Sequence, residues 1–279
     1  MQPSFQIRSA ETGAIQYNEC TLIIDVGERY FSFVLYSSND NEFVALEYYL
    51  FSCGQKQEQL KELLSSHTLL QLSYPAVQVY FNSAVRLLVP ERFYDEDSSC
   101  RMLELVAGDM HQNMPLSDEI EGLNMRNVYS VPDYLREMLI SQFPAAVYRH
   151  LHTGLLKKNM MLERKDNRME IIFYPEHIIV LLWKDNALQF IQCFNYETPE
   201  DVAYHTTNLA EQWKLDRAEI RVIISGLVEK DSALFASVDK YFQFVETEER
   251  PEQFNYDAAF DRYPAHFFSP LFTIGTCVS

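Results

Sequence analysis

Two residues that could do phosphate chemistry, Asp25 and Gly27, stand at the end of the apolar run LIIDVG. A carboxylate is a ligand that Mg²⁺ accepts readily, and a glycine lets the backbone come close to a phosphate group. The same two residues also suit a tight turn between strands, where no ligand is involved. Because a single Asp-x-Gly motif is short, both hypotheses stay open at this point: a phosphate-binding turn or a plain turn.

The elements that must position this turn are three strand-like runs. The runs LIIDVG, YFSFVLYS and FVALEYYLFS are rich in β-branched and aromatic residues, and short polar breaks separate them. This pattern predicts an antiparallel meander over residues 21–51. A helix is predicted over 55–67, then strands at 76–81 and 84–90, the second closed by Pro90 because proline cannot donate to a strand ladder.

Four further segments complete the first half. The sequence predicts a capped helix over 95–109 that ends at Gly108, a polar loop over 114–122, a helix that begins at Pro132 and another helix over 145–156. The most charged stretch near the middle of the chain follows, and it predicts a domain joint at 155–168.

The opening pattern returns after that joint. Residues 169–196 again have the pattern of a strand, a tight turn, a strand, a polar turn and a strand. A helix with Thr198 as its N-cap is predicted to follow. A strand over 219–226, a helix near 231–238 and a short strand over 241–247 come next. In this alignment Asp25-Val26-Gly27-Glu28 stands opposite Phe173-Tyr174-Pro175-Glu176. The repeated order predicts an α/β protein with two halves of one type.

Composition restricts the classes of function. The net charge is −17 and the pI is near 4.8, so the surface repels phosphate backbones and anionic lipids; neither nucleic-acid binding nor membrane insertion is expected. Apolar runs are strand-sized, and the N-terminus lacks the pattern of a signal peptide. Five scattered cysteines without a CxxC motif predict reduced thiols and a cytoplasmic location.

Other candidate sites are weaker. His150 and His152 are predicted on a helix, where a spacing of two points them to different faces, so no metal site is expected. Ser225 stands before Gly226 without the G-x-S-x-G pattern of a hydrolase nucleophile. The aromatic residues of the tail RYPAHFFSPLF suit either a core or a surface that binds a partner.

A family resemblance rests on four stretches: LIIDVGERYFSFVLY, VRLLVPERFYDEDSSCRMLELVAGD, NVYSVPDYLREMLISQFPAAVYRHLHTGLL and EIRVIISG. Over roughly residues 20–275, the chain resembles an uncharacterised bacterial family with an actin-like ATPase fold, and it is similar to the actin-like pilus-assembly and type II secretion proteins. The resemblance implies two actin-like (ribonuclease H-like) halves, each a mixed β-sheet flanked by helices. The expected domains are a lead-in over 1–20, a first half over 21–155 with a variable subdomain near 90–125, and a second half over 169–279.

The resemblance also implies where a nucleotide would bind. In active members, one Asp-x-Gly hairpin in each half holds the ATP phosphates and Mg²⁺, and a glycine-rich loop after a strand holds the adenosine. Asp25 and Gly27 match the first hairpin, and Ser225 and Gly226 are what remains of the adenosine loop. Tyr174-Pro175 replaces the motif of the second hairpin.

These losses favour a relic turn at Asp25-Val26-Gly27, in which Gly27 supplies an unusual backbone angle. Weak nucleotide binding and a working ATPase are the competing hypotheses. We therefore predict a non-catalytic cytoplasmic binding or scaffolding protein with an unidentified protein partner, no catalytic residue, no metal and no cofactor. The alternative is a divergent Mg²⁺-dependent ATP-binding protein or ATPase that uses the cleft between the halves. A homo-oligomeric structural protein is a third hypothesis.

Overall fold

The computed structural model of the protein describes residues 1–8, 16–108, 113–161 and 166–275. The strands, in chain order, are β1 (Phe5–Arg8), β2 (Thr21–Val26), β3 (Tyr30–Ser37), β4 (Glu42–Leu50), β5 (Ala76–Phe81), β6 (Arg86–Pro90), β7 (Asn113–Ile120), β8 (Met125–Pro132), β9 (Val147–His150), β10 (Arg168–Phe173), β11 (His177–Lys184), β12 (Ala187–Asn195), β13 (Arg221–Gly226), β14 (Phe244–Thr247) and β15 (Asn255–Tyr256). The α-helices are α1 (Lys56–Ser66), α2 (Ser99–Ala107), α3 (Asp133–Gln142), α4 (Leu151–Met161), α5 (Pro199–Gln212), α6 (Ala233–Asp239) and α7 (Ser269–Ile274).

The first large sheet has the order β1-β4-β3-β2-β5-β9, with β15 beside β4. Strands β2, β3 and β4 form the predicted antiparallel meander, and β5 and β9 extend it with parallel pairs. Strand β2 is buried along almost its whole length, as expected of an apolar run with side chains packed on both faces of a sheet. Helices α1 and α3 bury their leucines in the same hydrophobic core.

The second large sheet repeats this arrangement in the order β12-β11-β10-β13-β14. The antiparallel pairs β12-β11 and β11-β10 form the second predicted meander, and β13 and β14 add parallel strands. Helix α5 begins with a capping box in which the Thr198 hydroxyl accepts the N–H of Asp201 and the Asp201 carboxylate accepts the N–H of Thr198. The α/β class and the mixed sheets flanked by helices are therefore confirmed.

Three local predictions were wrong. Residues 147–150, predicted as helix, form β9, because pairing with β5 outweighs the local helix propensity. The predicted polar loop at 114–122 is largely β7, which pairs along its length with β8 in a small sheet of order β6-β8-β7. The expected loose lead-in contains β1, which pairs with β4.

Strand β1 is fastened by a buried carboxylate on β4. Glu47 is fully buried and accepts hydrogen bonds from Gln6 (3.0 Å) and from Arg8 Nε (2.8 Å), and its second oxygen contacts Tyr49 and His67. Burial alone raises the pKa of Glu47, but the hydrogen bonds from His67, Tyr49, Gln6 and Arg8 together lower it to about 2. The carboxylate therefore stays ionised and holds the edge strand.

The chain divides into two compact units. Unit 1 comprises Met1–Met161, Glu252–Phe260 and Thr273–Ser279, and unit 2 comprises Leu162–Pro251 and Asp261–Phe272. In the tail, β15 pairs with β4 of unit 1. The predicted domain limits stay a prediction.

Part of the predicted joint at 155–168 and Cys277 lie outside the described residues. The other four cysteines are free thiols. In the described part of the chain, no helix has both the length and the hydropathy needed to cross a bilayer.

Candidate functional site

The turn between β2 and β3 carries the Asp-x-Gly motif. The N–H of Gly27 donates to the carbonyl of Tyr30 at 3.1 Å and closes the hairpin. The Tyr30 hydroxyl donates to Asp25 Oδ1 at 2.7 Å, and Asn82 Nδ2 donates to the same hydroxyl at 2.9 Å. All three side chains are buried, Asp25 at 3% exposure and Tyr30 at 1%. The carboxylate that would face a metal ion is therefore hydrogen-bonded inside the protein.

Gly27 is needed for space rather than for an unusual backbone angle. Its φ is not among the positive values of the described residues, so the expected special angle was wrong. Instead, the ring of Tyr30 lies against it, and a Cβ at this position would come within 2.8 Å of Tyr30 Cδ1. The Tyr30 ring is itself held by stacking on Tyr48, with centroids 5.2 Å apart and ring planes 9° apart. The aromatic ring thus occupies the space that glycine leaves open.

The turn between β10 and β11 has the same backbone closure. The N–H of Tyr174 donates to the carbonyl of His177 at 2.9 Å, just as Gly27 donates to Tyr30. This pairing makes Tyr174 equivalent to Gly27, and Asp25 equivalent to Ile172, so the sequence alignment of the two turns was wrong by one residue. The ring of Tyr174 stacks on His177 with centroids 4.9 Å apart.

Ser225 and Gly226 end β13 beside Phe173. Gly226 has a φ of +86°, and a Cβ on it would lie 2.7 Å from the backbone nitrogen of Phe173 and overlap the Phe173 carbonyl oxygen. Its N–H donates to the carbonyl of His266 at 2.8 Å, and Ser225 is 3% exposed. The amide that an adenosine loop would offer to a ligand is bound within unit 2.

The two histidines, His150 and His152, are buried inside the protein. His150 ends a strand instead of lying within the predicted helix; its side chain is fully buried and Nε2 lies 2.9 Å from the carbonyl of Ser83. Burial, with Arg86 nearby, lowers the pKa of His150 to about 3. His152 is also fully buried. Among the described residues, no group of three or more His, Cys, Asp or Glu side chains is placed to hold a metal ion.

The resemblance implies Mg²⁺ and ATP phosphates as ligands of these two hairpins, and the residues present do not fit them. At the first hairpin, Tyr30 covers Gly27 and one oxygen of Asp25. At the second, Ile172 and Tyr174 replace the carboxylate and the glycine, and Pro175 lacks an amide donor. As folded here, neither hairpin has the chemical groups arranged to receive a phosphate.

Comparison with known proteins gives the family. The family model described as "Protein of unknown function (DUF3822)" matches residues 10–245. The chain belongs to this family. A comparison with curated proteins gave no match.

Solved structures give the fold. The chain is similar to a Bacteroides thetaiotaomicron VPI-5482 protein described as having an actin-like ATPase fold and unknown function, with 15% identity, a TM-score of 0.78, and coverage of 95% of this chain and 100% of that one. It is also similar to the structure described as a PilM-PilN type IV pilus biogenesis complex, with 12% identity, a TM-score of 0.60, and coverage of 93% and 98%. The chain therefore has the actin-like ATPase fold predicted from its sequence.

Three residues that determine the geometry of the first hairpin and of Gly226 were not identified as such from the sequence. Tyr30 lies five positions after Asp25, inside a strand run where an aromatic residue is unremarkable. Asn82 and His266 carry no motif, and only the folded chain brings them to the hairpin and to Gly226, respectively. The one available signal was the bulky sequence Glu28-Arg29-Tyr30 directly after Gly27.

Proposed function

We propose that this member of the family is a non-catalytic cytoplasmic binding or scaffolding protein on an actin-like fold. The observation that supports this proposal is the Tyr30 side chain, which packs on Gly27 and donates to Asp25. An active phosphate hairpin needs an accessible carboxylate and open space at the glycine. In this protein the buried Tyr30 side chain hydrogen-bonds to the carboxylate and packs against the glycine.

A protein partner is the class of ligand that the comparisons favour. One of the similar structures is a complex of two proteins, PilM and PilN. The strongly negative charge of this chain argues against nucleic acid and anionic lipid as partners. We propose that a protein partner recognises a surface whose shape does not depend on a bound nucleotide.

The competing proposal is a divergent Mg²⁺-dependent ATP-binding protein or ATPase. It draws on the survival of Asp25 and Gly27 at the end of β2. To bind a nucleotide phosphate at this turn, the Tyr30 ring would have to leave its stacked position on Tyr48.

Thermal melting with and without Mg·ATP separates the two proposals. A ligand at 100 times its dissociation constant stabilises a protein by about 2.7 kcal/mol, which is a readily measured shift. We expect no shift for the wild type. A shift that disappears in Asp25→Ala but persists in Asp97→Ala, an exposed acid of the same unit, would establish nucleotide binding at this hairpin and reject our proposal.

A further inference from the structure

A cavity of about 230 Å³ lies within unit 1, next to the first hairpin. Its walls come from the ends of β2 and β5, from β8, and from the first turns of α1 and α3. This volume is below the roughly 300–1,000 Å³ of pockets that take drug-sized ligands, so it suits a molecule of fragment size.

A lysine without an ion pair lines this cavity. Lys56 is the first residue of α1, is only partly exposed, and makes no salt bridge or hydrogen bond with any described residue. The titratable groups placed against it are Glu28 of the hairpin and Tyr134 of α3, whose ring centroid lies 6.0 Å from Nζ. Burial lowers the pKa of Lys56 to about 8, although Glu28 acts in the opposite direction. A cation in this position lacks a close partner of opposite charge.

Two helix N-termini add to the positive potential at the same cavity. The N-cap residues of α1 and α3, Gln55 and Pro132, make no side-chain capping hydrogen bond. Uncapped first-turn amides and the helix dipole both favour an anion. Glu58 in the first turn of α1 and Asp133 in the first turn of α3 offset part of this potential.

A serine in the cavity wall offers a hydroxyl to a ligand. Ser130 lines the cavity and is 2% exposed. Its hydroxyl makes no hydrogen bond to any residue in the described part of the chain. The Oγ atom is not among the fully buried polar atoms that lack a partner, so a water molecule or a ligand in the cavity can hydrogen-bond to it.

The remaining walls limit the charge and polarity of that partner. Glu28 lines the same cavity, so an anion there is attracted by Lys56 and repelled by Glu28; the repulsion is larger for a doubly charged phosphate than for a singly charged carboxylate beside the lysine. The rest of the lining includes the apolar residues Phe81, Val131 and Leu135. An anion with a single charge and an apolar body matches both features.

We propose that this cavity binds a small monocarboxylate with an apolar body, whose carboxylate is received by Lys56 and the Ser130 hydroxyl. The site goes beyond the proposed function: Gly27, Glu28 and Asn82 of the first hairpin region line the cavity, but Asp25 and Tyr30 do not. The same chemistry is found in a free carboxylic acid and in the carboxyl terminus of a peptide.

Calorimetry and saturation-transfer NMR with phenylacetate test the site. We expect phenylacetate to bind the full chain, and Lys56→Met to weaken binding about tenfold or more, since a charge-assisted hydrogen bond is lost. Lys61→Met, on the same helix but exposed, should bind like the wild type. Ser130→Ala should weaken binding by a smaller factor.

Three results would overturn the proposal. These are equal binding of the neutral phenylacetamide, tighter binding of inorganic phosphate than of phenylacetate, and no phenylacetate binding up to about 10 mM, which lies beyond a millimolar dissociation constant. Binding of N-acetylphenylalanine that is tighter than that of phenylacetate and also needs Lys56 would support the site and indicate a peptide terminus as the source of the carboxylate.

The pH dependence separates recognition by Lys56 from a general effect on folding. Phenylacetate stays ionised from pH 6 to 10, so its affinity for the wild type should fall as the pH rises past about 8, where Lys56 loses its proton. Lys56→Arg should bind with little change over this range, because arginine keeps its charge. Parallel pH profiles for the wild type and Lys56→Arg would contradict the assignment.

Discussion

The β2–β3 and β10–β11 hairpins of the two large sheets have the same backbone hydrogen bond at the turn but differ in their side chains. In each, the first turn residue donates its N–H to the carbonyl three residues later, at 3.1 Å for Gly27 and Tyr30 and at 2.9 Å for Tyr174 and His177. In each, the ring of the fourth residue packs on the first. The first hairpin keeps a carboxylate and a glycine, whereas the second keeps neither.

This difference shows that the turn and the phosphate chemistry are separable. Tyr174 closes its hairpin without glycine, so the backbone closure alone does not require one. Gly27 is required only because the Tyr30 ring lies where a side chain would stand. The first hairpin therefore keeps an Asp-x-Gly sequence within a packed core.

The largest effect is expected at Gly226, which packs on Phe173 beneath the second hairpin. Gly226→Ala should cost about 2–5 kcal/mol of unfolding free energy, from the positive φ and from overlap with the Phe173 backbone. Gly54→Ala is the matched control, since Gly54 also has a positive φ, +74°, but no atom near its Cβ position. Denaturant unfolding should separate the two variants, and equal losses would contradict the close packing at Gly226.

Gly27→Ala tests the packing of the first hairpin. We expect a loss of about 1–3 kcal/mol, because the new methyl group overlaps the buried Tyr30 ring. The loss should be smaller in a Tyr30→Ser background, where the ring is gone. A double-mutant cycle by denaturant unfolding measures this coupling, and additive effects would show that the ring does not limit Gly27.

Removing one tyrosine hydroxyl that hydrogen-bonds to each hairpin compares the polar contacts of the two turns. Tyr30→Phe leaves the buried Asp25 with one donor fewer and should cost about 1–3 kcal/mol. Tyr196→Phe removes a 2.7 Å hydrogen bond to the carbonyl of Tyr174, and about 0.5–1.5 kcal/mol is expected. Unfolding measurements on both variants at pH 7 give the comparison. A larger loss in Tyr196→Phe would mean that Asp25 does not depend on Tyr30.

A further effect is the contribution of the second hairpin to the pH dependence of stability, which adds to that of the buried His150. Burial lowers the pKa of His177 to about 4, so between pH 6.5 and 4 the unfolded chain binds a proton that the folded chain does not. Stability should therefore fall with decreasing pH across this window, by about 1–2 kcal/mol after allowance for the partial exposure of the ring.

The variant His177→Phe keeps an aromatic ring against Tyr174 and removes the titration. Its unfolding free energy should change less than that of the wild type between pH 6.5 and 4. The same slope in both proteins would assign the pH dependence to other groups.

Long segments with a clear hydrophobic pattern could be predicted from the sequence, whereas short strands that pair with a distant part of the chain could not. Both meanders, the capping box at Thr198 and the helix end at Gly108 follow from local sequence, because adjacent strands and caps are formed by neighbours in the chain. Strand β9 was missed because its partner β5 lies nearly 70 residues earlier, and strand β7 because its polar residues resemble a loop. For the candidate site, the positions of Asp25, Gly27, Ser225 and Gly226 at strand ends were predictable.

The sequence by itself determined the α/β class, the repeated three-strand meander and the absence of an Asp-x-Gly motif at the second hairpin. These features depend on residue type and on spacing along the chain. The tertiary structure alone decided what Asp25 binds, why Gly27 and Gly226 must be glycine, and that Lys56 and Ser130 line one cavity. Such properties depend on distances between residues far apart in the chain, and these distances are fixed only when the core packs.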